Sequence, residues 1–185
     1  WEPVYAAAAW KSWLTNPVRE SSSNRGSRST GEVSVANYDH IIEALERIIE
    51  ICRDGQNGYR DAAEHVKNPQ LREFLDRVSL ERAKFAGDLE NEVIRLGKAN
   101  VERSGSMLGA IHRGWTGLKA NLGGGDDAIL SSMEAGDTYA KNVYEKFIND
   151  NKLPDDVLGI LRNQAQSIVS TLDRVQALRQ QYKAA

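Results

Sequence analysis

Apolar residues recur at alternating spacings of three and four in four segments of the chain, which is the pattern of helices that bury one face against each other. In the first segment these positions run through Ile41, Leu45 and Ile48. The predicted helices are Tyr38–Val66, Gln70–Leu96, Asp127–Asn149 and a fourth with apolar positions from Val157 to Tyr182. No segment alternates between apolar and polar residues for long enough to form a sheet, so the sequence predicts an all-α fold.

The connections between these helices predict how they are arranged. Asn68 and Pro69 separate the first two helices and Leu153–Asp155 separates the last two, so each pair should form an antiparallel hairpin. About 27 residues join the second helix to the third, enough to run along a helix of about 40 Å. Within this crossover, Ser106–Leu122 has the pattern of a short helix. One long crossover between two hairpins is the ferritin-like arrangement, and we therefore expect a ferritin-like four-helix bundle.

The first 35 residues differ from the rest of the chain. Residues 1–14 are rich in alanine and contain three of the four tryptophans. Residues 15–32 are rich in serine, arginine and glycine, a composition typical of a flexible linker. The sequence therefore predicts an N-terminal segment with its linker (residues 1–35) followed by the bundle (residues 36–185).

The candidate partner-binding residues lie in this N-terminal segment. If the segment is helical, Trp10, Trp13 and Leu14 share one face, and Trp1 stands at its start. An aromatic face of this kind favours docking on a partner protein or on a second copy of the chain. Two alternatives stay open: the segment folds back onto its own bundle, or it binds a membrane surface.

The N-terminal segment also bears on localisation. It is too short to span a membrane, and it lacks the basic start, longer apolar region and cleavage site of a secretory signal. We therefore expect a cytoplasmic protein, with peripheral attachment to a membrane or to a larger assembly as an open alternative.

Composition and charge exclude several classes of function. The chain has 24 basic and 26 acidic residues and a formal net charge of −2, which does not indicate a nucleic-acid-binding protein. A single cysteine excludes an internal disulfide framework and a zinc site with several cysteine ligands. This cysteine, Cys52, lies among isoleucines on the first helix and is expected to be a buried apolar residue, not a nucleophile.

Three stretches of the predicted bundle have distinctive sequences. They are DGQNGYRDAAEHVKNPQLREFLDRVSLERAKFAGDLENEVIRLG, GSMLGAIHRGWTGLKANLGGGDDAIL and MEAGDTYAKNVYEKFI. They resemble the first hairpin, the crossover helix and the third helix of a bacterial family of four-helix-bundle proteins in the ferritin-like superfamily, whose domain has no assigned function. The resemblance covers about residues 37–182. It implies a fold, a bacterial source and an association with stress or envelope genes, but it implies no catalytic residues.

A di-iron site in such a bundle needs bridging carboxylates and Glu-x-x-His motifs, because side chains three residues apart project from one helix face toward the same point. The three histidines have Asn37, Ala62 and Gly109 three positions before them, so the motif is absent from the sequence. A carboxylate-only site is the remaining metal alternative, with oxygen ligands that suit Mg, Ca or Mn. Its candidate residues are Asp54, Glu81, Glu134 and Asp137. The competing interpretation is that these carboxylates lie at the core boundary, where they face water or pair with Arg53, Arg82, Lys84 or Lys141.

Two hypotheses for function follow from these observations. The first is a non-catalytic ferritin-like scaffold or interaction protein, without a cofactor, that engages a partner or itself through the N-terminal segment. The second is a metal-binding or storage protein that uses the atypical carboxylate site. The absence of Glu-x-x-His motifs favours the first, and no enzymatic activity is expected.

Overall fold

A computed structural model describes residues 32–98, 125–150 and 153–184. These residues form four helices: α1 (Glu32–His65), α2 (Pro69–Arg95), α3 (Gly125–Asn149) and α4 (Asp155–Ala184). The described part of the chain contains no strand, and the predicted all-α fold class is confirmed. The N-terminal Trp segment and the predicted crossover helix lie outside the described residues.

The helix ends follow from local sequence, with one correction. The Asn68 side chain accepts hydrogen bonds from the backbone N–H groups of Gln70 and Leu71, and Pro69 occupies the first turn of α2, where it sacrifices no helical hydrogen bond. Beyond the end of α2, Gly97 has a φ of +102°, a conformation that favours glycine. At the other end of the hairpin, α1 begins at Glu32, so residues 32–35 belong to the first helix and not to the linker.

The directions of the helices follow from contacts between them. Arg53 on α1 contacts Glu90 on α2, whereas Lys98, just after α2, contacts the earlier residue Glu46 on α1, so the first hairpin is antiparallel. The α1–α3 pair is also antiparallel, because Cys52 contacts Tyr144 while Tyr59, further along α1, contacts the earlier residue Asp137. Between α2 and α4, Phe85 contacts Gln164 and the later residue Arg95 contacts the earlier residue Asp156. Between α3 and α4, Tyr144 contacts Gln164 and the earlier residue Asp126 contacts the later residue Tyr182. Both α2–α4 and α3–α4 are therefore antiparallel.

These directions make α2 and α3 parallel, so the end of α2 and the start of α3 lie at opposite ends of the bundle. The connection through residues 99–124 consequently joins one end of the bundle to the other. The two hairpins and the one long connection agree with the arrangement that the connection lengths predict.

The apolar core of the bundle is divided into two clusters. One cluster lies around Leu45, Ile49 and Leu161, near the start of α1, and the other lies around Ala62, Leu75 and Ile129, near its end. Polar side chains occupy the level between them, as described below. None of the described helices is long and apolar enough to cross a membrane.

Candidate functional site

A cluster of polar side chains crosses the middle of the bundle between the two apolar clusters. We call it the central polar cluster; its members are Tyr59 from α1, Glu81 and Arg82 from α2, Asp137 from α3 and Ser167 from α4. All four helices contribute to it. Each of these residues lies on or beside the buried face of its helix, where the helical spacing would otherwise place an apolar side chain.

Arg82 is the centre of this cluster. Its side chain is only 2% exposed, and its guanidinium donates to Asp137 Oδ1 over 3.4 Å and to Glu81 Oε2 over 3.1 Å. The guanidinium carbon also lies 5.4 Å from the centroid of the Phe85 ring, within the range of a cation–π contact. The positive charge is thus neutralised by two carboxylates and an aromatic face, as a buried guanidinium requires.

Gly55 on α1 makes room for the Arg82 side chain. A Cβ atom at Gly55 would lie 3.3 Å from Arg82 Cγ and 3.4 Å from Cδ, closer than ordinary carbon–carbon contact. The glycine therefore lets the aliphatic part of Arg82 cross the face of α1. This explains a residue that costs helix stability in the middle of a 34-residue helix.

The electrostatics of Asp137 and Tyr59 follow from their burial. The Tyr59 hydroxyl donates to Asp137 Oδ2 over 2.6 Å. Burial raises the pKa of Asp137 above its ordinary value, although the Arg82 cation and the Tyr59 hydrogen bond act in the opposite direction. Burial first, and then the Asp137 charge, raise the pKa of Tyr59 well above its ordinary value. Tyr59 is therefore a neutral phenol that serves as a hydrogen-bond donor.

A second buried chain of hydrogen bonds lies beside the central polar cluster. The Tyr144 hydroxyl donates to Gln164 Oε1 over 2.8 Å, and Gln164 Nε2 donates to the Phe85 carbonyl over 3.3 Å. Because the Tyr144 hydroxyl has one hydrogen, the contact of 3.1 Å between Cys52 Sγ and this hydroxyl has the thiol as donor. Burial raises the pKa of Cys52 to about 11, so the thiol stays protonated. This agrees with the expectation that Cys52 is a buried residue and not a nucleophile.

The four carboxylates of the predicted metal alternative are not brought together. Glu81 and Asp137 both contact Arg82, whose guanidinium lies between the two carboxylates. Glu134 instead accepts hydrogen bonds from Arg179 and Gln176 on α4. In the described residues, no group of three or more His, Cys, Asp or Glu side chains could hold a metal ion.

Asp54, the remaining candidate, lies half-buried on α1. Burial, together with the negative charge of Glu50 one turn earlier, raises its pKa to about 7. Such an acid is largely protonated below neutral pH, which makes it a poor metal ligand in its present surroundings.

The boundary interpretation of these carboxylates is correct in part. Arg82 does pair with Glu81 and Asp137, but Asp137 is 3% exposed and therefore lies in the core, not at its boundary. Three other predicted cations have different partners: Arg53 pairs with Glu90, Lys84 with Asp88 and Lys141 with Glu145. The partner of Glu134 is Arg179, which the sequence pattern does not single out.

Arg82 and Tyr59 are not among the residues that the sequence predicts as a site. A usable signal was present at Arg82, since it occupies the position between Val78 and Phe85 where the spacing of four and three requires a buried residue. The candidate partner-binding residues Trp1, Trp10, Trp13 and Leu14 lie outside the described residues.

A known protein family matches more than half of the chain. The profile of a protein family described as a domain of unknown function (DUF2383) matches residues 40–150. The matched range contains four of the five members of the central polar cluster, all except Ser167. No curated protein matches the chain.

Proposed function

Because this chain belongs to the DUF2383 family, whose description assigns no activity, we propose a function from the geometry of the bundle. The protein is a non-catalytic helical scaffold that engages a partner protein, or a second copy of itself, through its N-terminal segment. A relationship to ferritin-like bundles is part of this proposal, and the helix order with its one long connection supports it. The sequence resemblance favours a bacterial stress- or envelope-associated setting.

The position of Arg82 is the observation that carries the proposal. A carboxylate site in a helical bundle holds its metal by presenting negative oxygens to an open central position. Here the guanidinium of Arg82 lies between Glu81 and Asp137 and uses both carboxylates for its own neutralisation. A metal cation at this level would meet a fixed positive charge, which argues for a structural role of the cluster.

A structural role for the central polar cluster has a physical basis. Two apolar clusters lie above and below it, and apolar surfaces alone tolerate sliding of one helix along another. The contacts of Arg82 and Tyr59 with Asp137 are satisfied in one register of α1, α2 and α3. The cluster therefore selects that register, as single buried polar residues do in coiled coils.

The N-terminal segment is the part of the chain with the composition of an interaction motif. Tryptophan contributes strongly to protein interfaces because it buries a large area with few rotatable bonds. A tether of 17 residues between Leu14 and Glu32, most of them polar, would let the segment reach beyond its own bundle. These properties support a contact with another chain.

We expect that purified protein incubated with Fe(II) or Mn(II) and then desalted retains less than one metal ion per chain and shows no ferroxidase activity. The physical reason is the Arg82 charge between Glu81 and Asp137. Elemental analysis and oxygen consumption measure the two quantities. A bound pair of irons per chain, or iron-dependent oxygen uptake above the protein-free rate, would refute the scaffold proposal.

We expect the full chain with Trp10→Ala and Trp13→Ala to keep its helix content and unfolding midpoint but to lose its partner or self-association. Light scattering measures self-association, and affinity purification at matched protein concentrations compares the partners retained. Val18→Ala, an apolar change in the linker, is the control and should leave assembly unchanged. If the double variant assembles as the unsubstituted chain does, the N-terminal segment is not the contact.

A further inference from the structure

The outer face of α2 carries exposed apolar side chains that the described part of the chain does not cover. Leu80 is 71% exposed and Ile94 is 55% exposed, the largest values among the big apolar side chains of the described residues. We call this face the α2 outer strip; it consists of Leu80, Lys84, Gly87, Asn91 and Ile94. Successive members are three or four residues apart, so they form one continuous line along the helix.

The α2 outer strip has an internal symmetry. Leu80 lies seven residues before Gly87 and Ile94 lies seven residues after it. If two copies of α2 pack antiparallel with Gly87 at the centre, Leu80 of each copy therefore faces Ile94 of the other. A two-fold axis produces such a contact twice, which is how one surface becomes complementary to itself.

The polar members of the strip fit the same pairing. Lys84 and Asn91 lie on the same side of the line through Leu80 and Ile94, three residues before and four residues after Gly87. In the antiparallel pair, Lys84 of one copy lies opposite Asn91 of the other and within two residues of its Asp88 along the helix axis. Lys84 is 71% exposed and its partner within the chain is the neighbouring Asp88, so the ammonium group can also reach a carboxylate on a second copy.

Gly87 has no explanation within the bundle. Glycine in the interior of a helix costs about 1 kcal/mol relative to alanine. A side chain at this position would meet no described atom within 4 Å, so packing inside the chain does not require the glycine. Close approach of a second helix backbone at the centre of the strip would require it, since a Cβ atom there would push the two helices apart.

From these observations we propose that the α2 outer strip is a homodimer interface, in which α2 packs antiparallel against α2 of a second copy around Gly87. The contact consists of two Leu80–Ile94 pairs flanked by Lys84 and Asp88. The strip from Leu80 to Ile94 is about 21 Å long. A single helix pair of this length buries less than the roughly 800 Å² per partner of a standard interface. The dimer is therefore weak and depends on concentration.

Disulfide cross-linking of the full chain tests both the contact and its direction. In the proposed dimer, Leu80 lies beside Ile94 of the other copy but about 21 Å from the other Leu80, beyond the reach of about 7 Å between the Cα atoms of a disulfide. We expect Leu80→Cys alone and Ile94→Cys alone to remain largely uncrosslinked under mild oxidation. An equimolar mixture of these two variants should form covalent dimers. Cys52 is buried and does not interfere.

Matched variants make the test selective. Lys141→Cys, a change on α3 in another ion pair between neighbouring turns, should not cross-link. Leu80→Lys with Ile94→Lys should raise the dimer dissociation constant at least about tenfold by sedimentation equilibrium. Both positions are exposed, so the bundle should keep its helix content by circular dichroism.

Several results would overturn the proposal. Self-cross-linking of Leu80→Cys and of Ile94→Cys would indicate a parallel pair. Cross-linking of Lys141→Cys at the same rate as the mixture of Leu80→Cys and Ile94→Cys would indicate random collision. A protein that stays monomeric at concentrations up to about 1 mM would show that the interface does not form. When Trp10→Ala and Trp13→Ala are added to both cysteine variants, the mixture of Leu80→Cys and Ile94→Cys should cross-link unchanged. If those Trp changes abolish cross-linking, the N-terminal segment holds the copies together and the α2 outer strip does not.

Discussion

Replacing Arg82 with methionine is expected to lower the free energy of unfolding by about 3–5 kcal/mol. The substitution keeps an unbranched side chain of similar length but removes the only cation that contacts Asp137 within the described residues. Asp137 then remains 3% exposed without a neutralising charge, and Glu81 loses one of its donors. Urea denaturation followed by circular dichroism measures the loss. Because a domain has a total stability of about 5–15 kcal/mol, the effect should be unmistakable.

The Arg82→Met variant should also acquire a characteristic pH dependence. Burial already raises the pKa of Asp137, and loss of the Arg82 cation removes an influence that lowers it. A carboxyl with a raised pKa in the folded state stabilises the fold below its unfolded pKa, and this stability is lost as the pH rises through the folded value. The variant should therefore lose more stability at pH 8 than at pH 5.

Two further variants separate this mechanism from a general loss of packing. Adding Asp137→Asn to Arg82→Met removes the uncompensated charge and keeps an acceptor for Tyr59, so the double variant should be more stable than the single one. Arg77→Met is the control, since Arg77 is exposed and pairs with Glu73 on the surface; it should cost less than about 1 kcal/mol. Equal losses in the single and double variants would show that the charge of Asp137 is not the cause.

Asp54→Asn is expected to stabilise the protein at neutral pH by about 2 kcal/mol. The pKa of Asp54 is about 7 in the folded protein instead of the ordinary 3.8. A difference of this size corresponds to at most about 4 kcal/mol, and we expect about half of it because the side chain is half-buried and partly solvated. Asparagine has the shape and neutrality of the protonated acid, so it avoids the cost of ionisation on this face.

The sign of the pH dependence is fixed by the direction of the shift. Below about pH 4, Asp54 is protonated in both the folded and the unfolded chain, and the two proteins should have similar stability. Between about pH 4 and 7, the unfolded chain ionises first, so the unsubstituted protein loses stability relative to Asp54→Asn. Above about pH 7 the difference should become constant. Urea denaturation at a series of pH values measures it.

The control for this experiment is Asp39→Asn, a change of the same chemistry at an exposed position of α1. It should leave the pH profile of stability unchanged within about 0.5 kcal/mol. If Asp54→Asn also follows the unsubstituted protein at every pH, then Asp54 ionises in the folded chain as it does in water, and the burial of this carboxyl has no energetic consequence.

Much of the fold was predictable because it depends on short-range patterns. Helix boundaries at Asn68 and Pro69 follow from capping chemistry that neighbouring residues carry out. The antiparallel hairpins follow from connections too short for any other path. The earlier start of α1 was not predictable from the apolar pattern, because the regular spacing of three and four that identified this helix begins only at Ile41.

Only some of the residues of the candidate site could be predicted from the sequence. Asp137 and Glu81 could be named as carboxylates near the seams, and Cys52 as a buried residue. Apart from the contact between Glu81 and its neighbour Arg82, their partners lie on other helices, between 55 and 92 residues away in the chain. Such pairings depend on rotation and register of whole helices, which a residue pattern within one helix does not contain.

By itself, the sequence determined that the chain forms four long helices in two antiparallel hairpins, since spacing of apolar residues, capping residues and connection lengths act locally. Only the tertiary structure decided that Arg82 lies between Glu81 and Asp137 and that Asp54 and Glu134 lie apart from them. The physical reason is that a buried charge must find its counter-charge in three dimensions. The four carboxylates of the predicted metal site are therefore separated. Glu81 and Asp137 contact an arginine of α2, Glu134 contacts an arginine of α4, and Asp54 is half-buried on α1.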